Sequence, residues 1–191
     1  MTMHIPQSAE YALRAMTYIA NLPDGHPVRA RDLSVVAGVP APYLAKLMRQ
    51  LVVAGLLHSQ RGHHGGFVLA LQPKHIRFLD IMRAVDGGPD PKRCGFGWGR
   101  CRASEPCPMH HVFKSLNDAL CDWAAQTTLH DVQVPNGLPL PEAVAEAMAE
   151  SPEHELVKRV QHLIGDALRG PRAAKAGAAS AEPAAADSSA L

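Results

Sequence analysis

The chain has 191 residues, with 19 Lys and Arg against 18 Asp and Glu, and 47% of it is hydrophobic. That length accommodates one large domain or a small domain with appendages, and the apolar share suffices for a buried core. No apolar run is long enough to cross a bilayer. Gln7, Glu10 and Arg14 interrupt any signal-peptide core at the N-terminus. A cytoplasmic chain is therefore expected, in which the four cysteines serve as ligands, redox groups or buried thiols rather than disulfide staples.

The net charge of +1 conceals a gradient. Residues 1–75 carry Arg14, Arg29, Arg31, Lys46, Arg49, Arg61 and Lys74 against only Glu10, Asp24 and Asp32. Residues 76–134 are balanced, and residues 135–191 are acidic. A basic front half suits a polyanion, because neutralised phosphates release condensed counterions. A basic but merely solvated surface would look the same.

In chain order, Ser8 is the expected cap of a first helix whose apolar positions are Ala12, Leu13, Met16, Ile19 and Ala20. Leu22-Pro23-Asp24-Gly25 stops it. A second helix fits Ala30–Ala37, closed by Gly38. A third begins around Pro40 and Pro42, where a missing N–H costs little, and ends at Gly55. Its stripe is Leu44, Leu47, Met48 and Leu51, with Tyr43, Lys46, Arg49 and Gln50 largely off it. Two strands, Leu56–Gln60 and Phe67–Leu71, then flank Arg61-Gly62-His63-His64-Gly65-Gly66, which reads as a hairpin.

This order is that of a winged helix-turn-helix, whose third helix lies in the major groove of DNA. The DNA-contacting candidates are Arg29, Arg31, Pro42, Tyr43, Lys46, Arg49, Gln50, Arg61, His63 and His64, with Arg61 suited to a narrow minor groove. The plain alternative is any small helical domain ending in a hairpin. Beyond it, a short helix over Phe78–Val85 leads to a loop, and a longer helix starts near Pro108. Phe113, Leu116, Leu120, Trp123 and Thr127 follow 3-4 spacing there, the pattern of a dimer seam.

The expected organisation is a winged domain over 1–75, then a short helix, cysteine loop (92–108) and dimerisation helix over 76–134. A linker and amphipathic helix over 135–171 and a disordered Ala-rich tail over 172–191 complete it. The fold class is mainly α with a small β-wing: a winged helix-turn-helix followed by a long dimerisation helix. Nothing in the sequence forms a nucleophile–base set or phosphate-binding loop, so neither an enzyme nor a small-molecule substrate is expected.

Cys94, Cys101 and Cys107 stand at C-x6-C-x5-C in a loop rich in glycine and flanked by Arg93, Arg100 and Arg102. Sulfur ligation selects zinc or iron–sulfur clusters over hard cations. Structural zinc sites usually pair cysteines two to four apart, while the wider spacing suits a broader cluster. Arginine-activated thiols without metal would also fit. Spacing leaves all three open.

In its ordered pieces the chain resembles the IscR/NsrR-type winged-helix regulators. These pieces are Glu10-Tyr11-Ala12-Leu13-Arg14, Tyr43-Leu44, Ala54-Gly55-Leu56-Leu57, the glycine wing and the three-cysteine loop with its following helix. The likeness covers roughly residues 3–134. It implies a homodimer that binds a double-stranded operator and holds an iron–sulfur cluster, 2Fe–2S or 4Fe–4S, on Cys94, Cys101 and Cys107. The fourth ligand is then either His110, three residues after Cys107, or Glu10, supplied across the dimer by the first helix. Arg14 occupies a position where one branch uses histidine, Ala45 replaces an acidic residue of some members, and Cys121 reads as a buried thiol. A cluster-controlled repressor is the leading expectation. A metal-free thiol switch, a zinc-stabilised regulator and an iron–sulfur carrier are the alternatives.

Overall fold

The computed structural model describes residues 5–62, 65–90, 92, 94, 99–100 and 104–134, together with 146, 158, 161, 162 and 165. The first helix, α1 (Gln7–Ala20), buries Ala9, Ala12, Leu13, Ala15, Met16, Ile19 and Ala20 along one face. Its cap is Pro6 rather than Ser8. Pro6 needs no N–H at a helix entry, and its carbonyl accepts the Glu10 N–H at 2.9 Å. Ser8 therefore falls inside the first turn, where its hydroxyl donates to Asp86 at the far end of α4 (Phe78–Asp86).

The helix-turn-helix consists of α2 (Ala30–Ala37) and α3 (Ala41–Val53). Gly38 makes the reversal at φ +64°, a left-handed conformation that costs glycine little. The Val39 N–H reaches back to the Ser34 carbonyl at 2.9 Å and closes the end of α2. Pro40 and Pro42 then open α3. Leu44, Leu47, Met48 and Leu51 are buried as the spacing predicts.

The wing pairs β1 (Leu57–Gln60) with β2 (Gly66–Leu69) in antiparallel register, Leu57 opposite Leu69 and Gln60 opposite Gly66. Both strands differ slightly from the expected bounds, because a third segment joins the ladder. Val28 and Phe67 exchange backbone bonds of 2.8 and 3.1 Å. That approach draws Gly66 into the strand. A Cβ there would lie 2.5 Å from the Val28 carbonyl oxygen, so only glycine fits.

A 3-10 turn at Pro73–His75 leads into α4, which packs Phe78, Leu79, Ile81 and Met82 into the core between α1 and α3. The Asp80 carboxylate binds the Arg77 guanidinium at 2.9 Å and the Arg77 N–H at 3.3 Å. Hydrogen bonding from Arg77 holds this carboxyl below its ordinary value, against the opposing effect of partial burial. Its contribution is present above the usual carboxylate range and lost as pH falls through the depressed value. Asp80→Ala should cost about 1 kcal/mol in urea unfolding at neutral pH. The gap to wild type should narrow in acid, and a gap that stays constant would contradict this assignment.

The last described helix, α5 (His110–Gln126), begins two residues later than expected, because Pro108 and Met109 form a turn. Thr127 lies beyond it in extended conformation. Its C-terminal end is fastened to the start of α4. Phe78 N–H binds the Thr127 carbonyl at 2.9 Å, and Leu129 N–H binds the Ile76 carbonyl at 3.0 Å. The Phe78 and Trp123 rings meet edge to face at 5.3 Å. Within α5 only Ala124 is fully buried. Phe113 and Leu120 are half-buried, whereas Val112 is 65% exposed, Leu116 42% and Trp123 40%. The bare apolar face thus keeps Leu116 and Trp123 of the expected seam and adds Val112.

Of the amphipathic stretch expected over 151–168, Lys158, Gln161, His162 and Gly165 are helical; its other residues and the 172–191 tail lie outside the described residues. Among the described residues no helix is long and apolar enough to cross a membrane.

Candidate nucleic-acid interface and cysteine site

Because α3 buries its leucine face, the opposite face is left to solvent. Pro42, Lys46, Arg49 and Val53 recur there at helical spacing and are all exposed. Gln50 is half-buried, and its Oε1 has no hydrogen-bond partner among the described residues. Tyr43 packs edge to face on Tyr11 of α1 at 6.0 Å, which ties the start of α3 to the first helix. Arg61 is exposed where β1 leaves the wing, while His63 and His64 lie outside the described residues. Arg29 is half-buried at the cap of α2, and the exposed Arg31 sits 3.6 Å from Asp32.

No carboxylate occurs between Asp32 and Asp80, so all of α3 and the wing carry no anionic side chain. A surface with cations at Lys46, Arg49 and Arg61 and nothing to repel phosphate is electrostatically one-sided.

The cysteine loop joins α4 to α5. Cys94 is buried, and its N–H donates to the Gly99 carbonyl at 2.9 Å, with Gly99 at φ +88°. Cys107 is half-buried one turn before α5, where its carbonyl accepts the His110 N–H at 2.9 Å. The His110 and His111 rings meet edge to face at 5.2 Å. Cys101 lies outside the described residues, as do Arg93 and Arg102, and Arg100 is exposed. Among the described residues no three His, Cys, Asp or Glu side chains converge within one chain.

Glu10 is placed elsewhere. It binds the Arg14 guanidinium, whose other nitrogen donates to the Ala37 carbonyl at 2.7 Å, at the end of α2. Arg14 also lies 5.8 Å from the Tyr11 ring centroid. Cys121 is half-buried on α5 rather than fully buried. Partial burial raises its pKa, with Asp118, Asp122 and Asp90 adding to the effect and Arg83 opposing it. It is therefore a poor thiolate. Among the described residues Cys107 and Cys121 form no disulfide.

Residues 5–134 match the family described as "Rrf2: Iron-dependent Transcriptional regulator". The chain is 31% identical over 130 residues to the HTH-type transcriptional regulator IscR of Escherichia coli, an alignment spanning 68% of this chain and 80% of that protein. Its fold is similar to that of CymR, the global cysteine regulator of B. subtilis, with TM-score 0.58 and 26% identity over 69% of this chain and 96% of that one. It is also similar to IscR of T. potens, with TM-score 0.54 and 25% identity over 69% and 86% of the two chains. The helix-turn-helix, the wing and these likenesses agree, and the chain belongs to the Rrf2 family of DNA-binding transcriptional regulators.

Proposed function

We propose that this regulator is a homodimeric, cytoplasmic repressor whose affinity for DNA is governed by an iron–sulfur cluster. The observation that carries the proposal is the position of the thiols. Cys94 is buried and Cys107 sits at the threshold of α5, in the one segment that joins the core helix α4 to a helix with an uncovered apolar face. The donor set suits the group: soft thiols in sequence order Cys94, Cys101 and Cys107, completed by an oxygen or nitrogen donor. When bound, such a cluster supplies one-electron redox chemistry and iron open to nitric oxide or oxygen.

The chain's own residues make the two fourth ligands unequal. His110 lies one turn from Cys107 in the same chain, and its N–H is bonded to the Cys107 carbonyl. Glu10 must first leave Arg14, and that guanidinium also holds the α2 carbonyl at the helix-turn-helix reversal. Recruitment of Glu10 across a dimer would therefore alter how α1 braces α2. Dimerisation through Val112, Leu116 and Trp123 would cover the bare face of α5.

On DNA, α3 would present Pro42, Tyr43, Lys46, Arg49 and Gln50 to the major groove, and the wing would present Arg61 with His63 and His64. The unpaired Gln50 carbonyl would recover a hydrogen bond by turning outward to a base-edge donor. Arg29 and Arg31 would contact phosphates beside α2.

Anaerobic purification followed by visible absorption, iron and acid-labile sulfide assays tests the proposal. Wild type should be coloured, with iron and sulfide in matching amounts, and Cys94→Ala or Cys107→Ala should lose both. His110→Ala and Glu10→Gln then separate the fourth ligands by which variant loses iron or changes the spectrum. A colourless protein with stoichiometric zinc, or an iron-free protein whose loop cysteines form a reversible disulfide, would replace the proposal with a zinc-stabilised regulator or a thiol switch.

A further inference from the structure

A cleft of about 530 Å³ opens between the C-terminal end of α1, the exit of β2 and the segment that follows α5. None of its lining residues belongs to α3 or to the cysteine loop. Its volume lies in the range of small-molecule sites. One wall is the turn at Pro23–His26, where the His26 N–H binds the Pro23 carbonyl at 2.9 Å. The opposite wall is fastened to α1: the Gln133 amide donates to the Ala20 carbonyl at 2.5 Å, and the Val134 N–H donates to the Asn21 side-chain oxygen at 2.9 Å. Gln133 Oε1 in turn lies 3.0 Å from His130 Nδ1, which sets that ring in the wall.

The lining has two characters. Leu22, Val68 and Leu71 supply an apolar surface, and Leu71 remains 46% exposed although it is a large aliphatic side chain. Lys74 supplies a cationic nitrogen donor, against the single carboxylate of Asp24, with the His26 and His130 rings also in the lining. Lys74 forms no ion pair among the described residues. A bare phosphate would leave the aliphatic surface wet, and a neutral hydrocarbon would leave Lys74 unanswered.

We propose that this cleft binds a small organic acid, an apolar monocarboxylate whose chain covers Leu22, Val68 and Leu71 and whose carboxylate meets Lys74. Such a ligand spans the exit of the wing strand, the end of α1 and the segment leaving α5. It would therefore stiffen the join between the DNA-reading unit and the chain beyond α5. The site stands independently of the cluster, since it uses none of the cysteines.

The test is calorimetry and saturation-transfer NMR on the full chain, with hexanoate as probe and hexanol as its neutral counterpart. Hexanoate should bind saturably and at least about tenfold tighter than hexanol. Lys74→Glu should weaken hexanoate by about tenfold or more, and Leu71→Glu should abolish its binding. Both side chains are exposed, and far-UV circular dichroism with thermal unfolding checks that each variant is folded. Should Leu71→Glu fail to fold, the hexanol comparison and Lys74→Glu decide the matter. No saturation up to about 20 mM, equal affinity for acid and alcohol, or unchanged affinity in Lys74→Glu would overturn the proposal.

Discussion

Replacing Lys46 and Arg49 together by alanine should weaken specific DNA binding by about 100-fold or more, since contacts of this kind contribute about 1–3 kcal/mol each. Both residues are exposed on the face of α3 opposite the buried Leu44, Leu47, Met48 and Leu51, so the substitutions leave the core untouched. The measurement is a binding isotherm on duplexes enriched from a random pool by the full-length protein, repeated across salt concentrations. Where a replaced side chain contacts phosphate, the salt slope should fall by about one unit. Arg61→Ala should cost less, about tenfold, because one wing arginine contributes a single contact. A loss below about threefold in a folded double variant would remove α3 from the interface.

The second large effect concerns α5. Val112→Lys with Leu116→Lys places two ammonium groups on an exposed apolar face, so the fold of one chain should survive. If two copies bury this face against each other, the variant should run as a monomer in light scattering. Its affinity for a two-half-site operator should fall by about 100-fold or more, because the second half-site then no longer binds intramolecularly. A variant that stays dimeric would move the interface elsewhere.

Much of the winged unit was legible because its signals are local. Gly38 and Gly55 do end their helices at positive φ, and the leucine stripe of α3 is buried. What was not legible depends on contacts distant in sequence. Ser8 has the chemistry of a cap, but Pro6 takes that role and Asp86, 78 residues away, takes the Ser8 hydroxyl. The strand bounds moved because Val28 joins the ladder, a pairing that no periodicity announces. The 3-4 spacing in α5 located an apolar helix correctly and includes the exposed Leu116 and Trp123, while Phe113 and Leu120 are half-buried and Val112 joins the open face. The cysteine spacing points to a soft-ligand loop, of which Cys101 lies outside the described residues.

The fastening of Thr127 and Leu129 to Phe78 and Ile76 gives α5 the mechanics of a lever with its fulcrum at one end. The 17 residues of α5 extend about 25 Å at 1.5 Å per residue, so a tilt of about 10° at the fulcrum displaces the His110 end by about 4 Å. Cys107 sits just beyond that end. Read in reverse, a displacement of a few ångströms at Cys107 becomes a rotation of the whole rod, delivered at Phe78, the first residue of the helix that packs against α1 and α3. In a two-fold assembly through this rod the rotation counts twice, once for each recognition helix. A small change at the loop then becomes a change in half-site spacing.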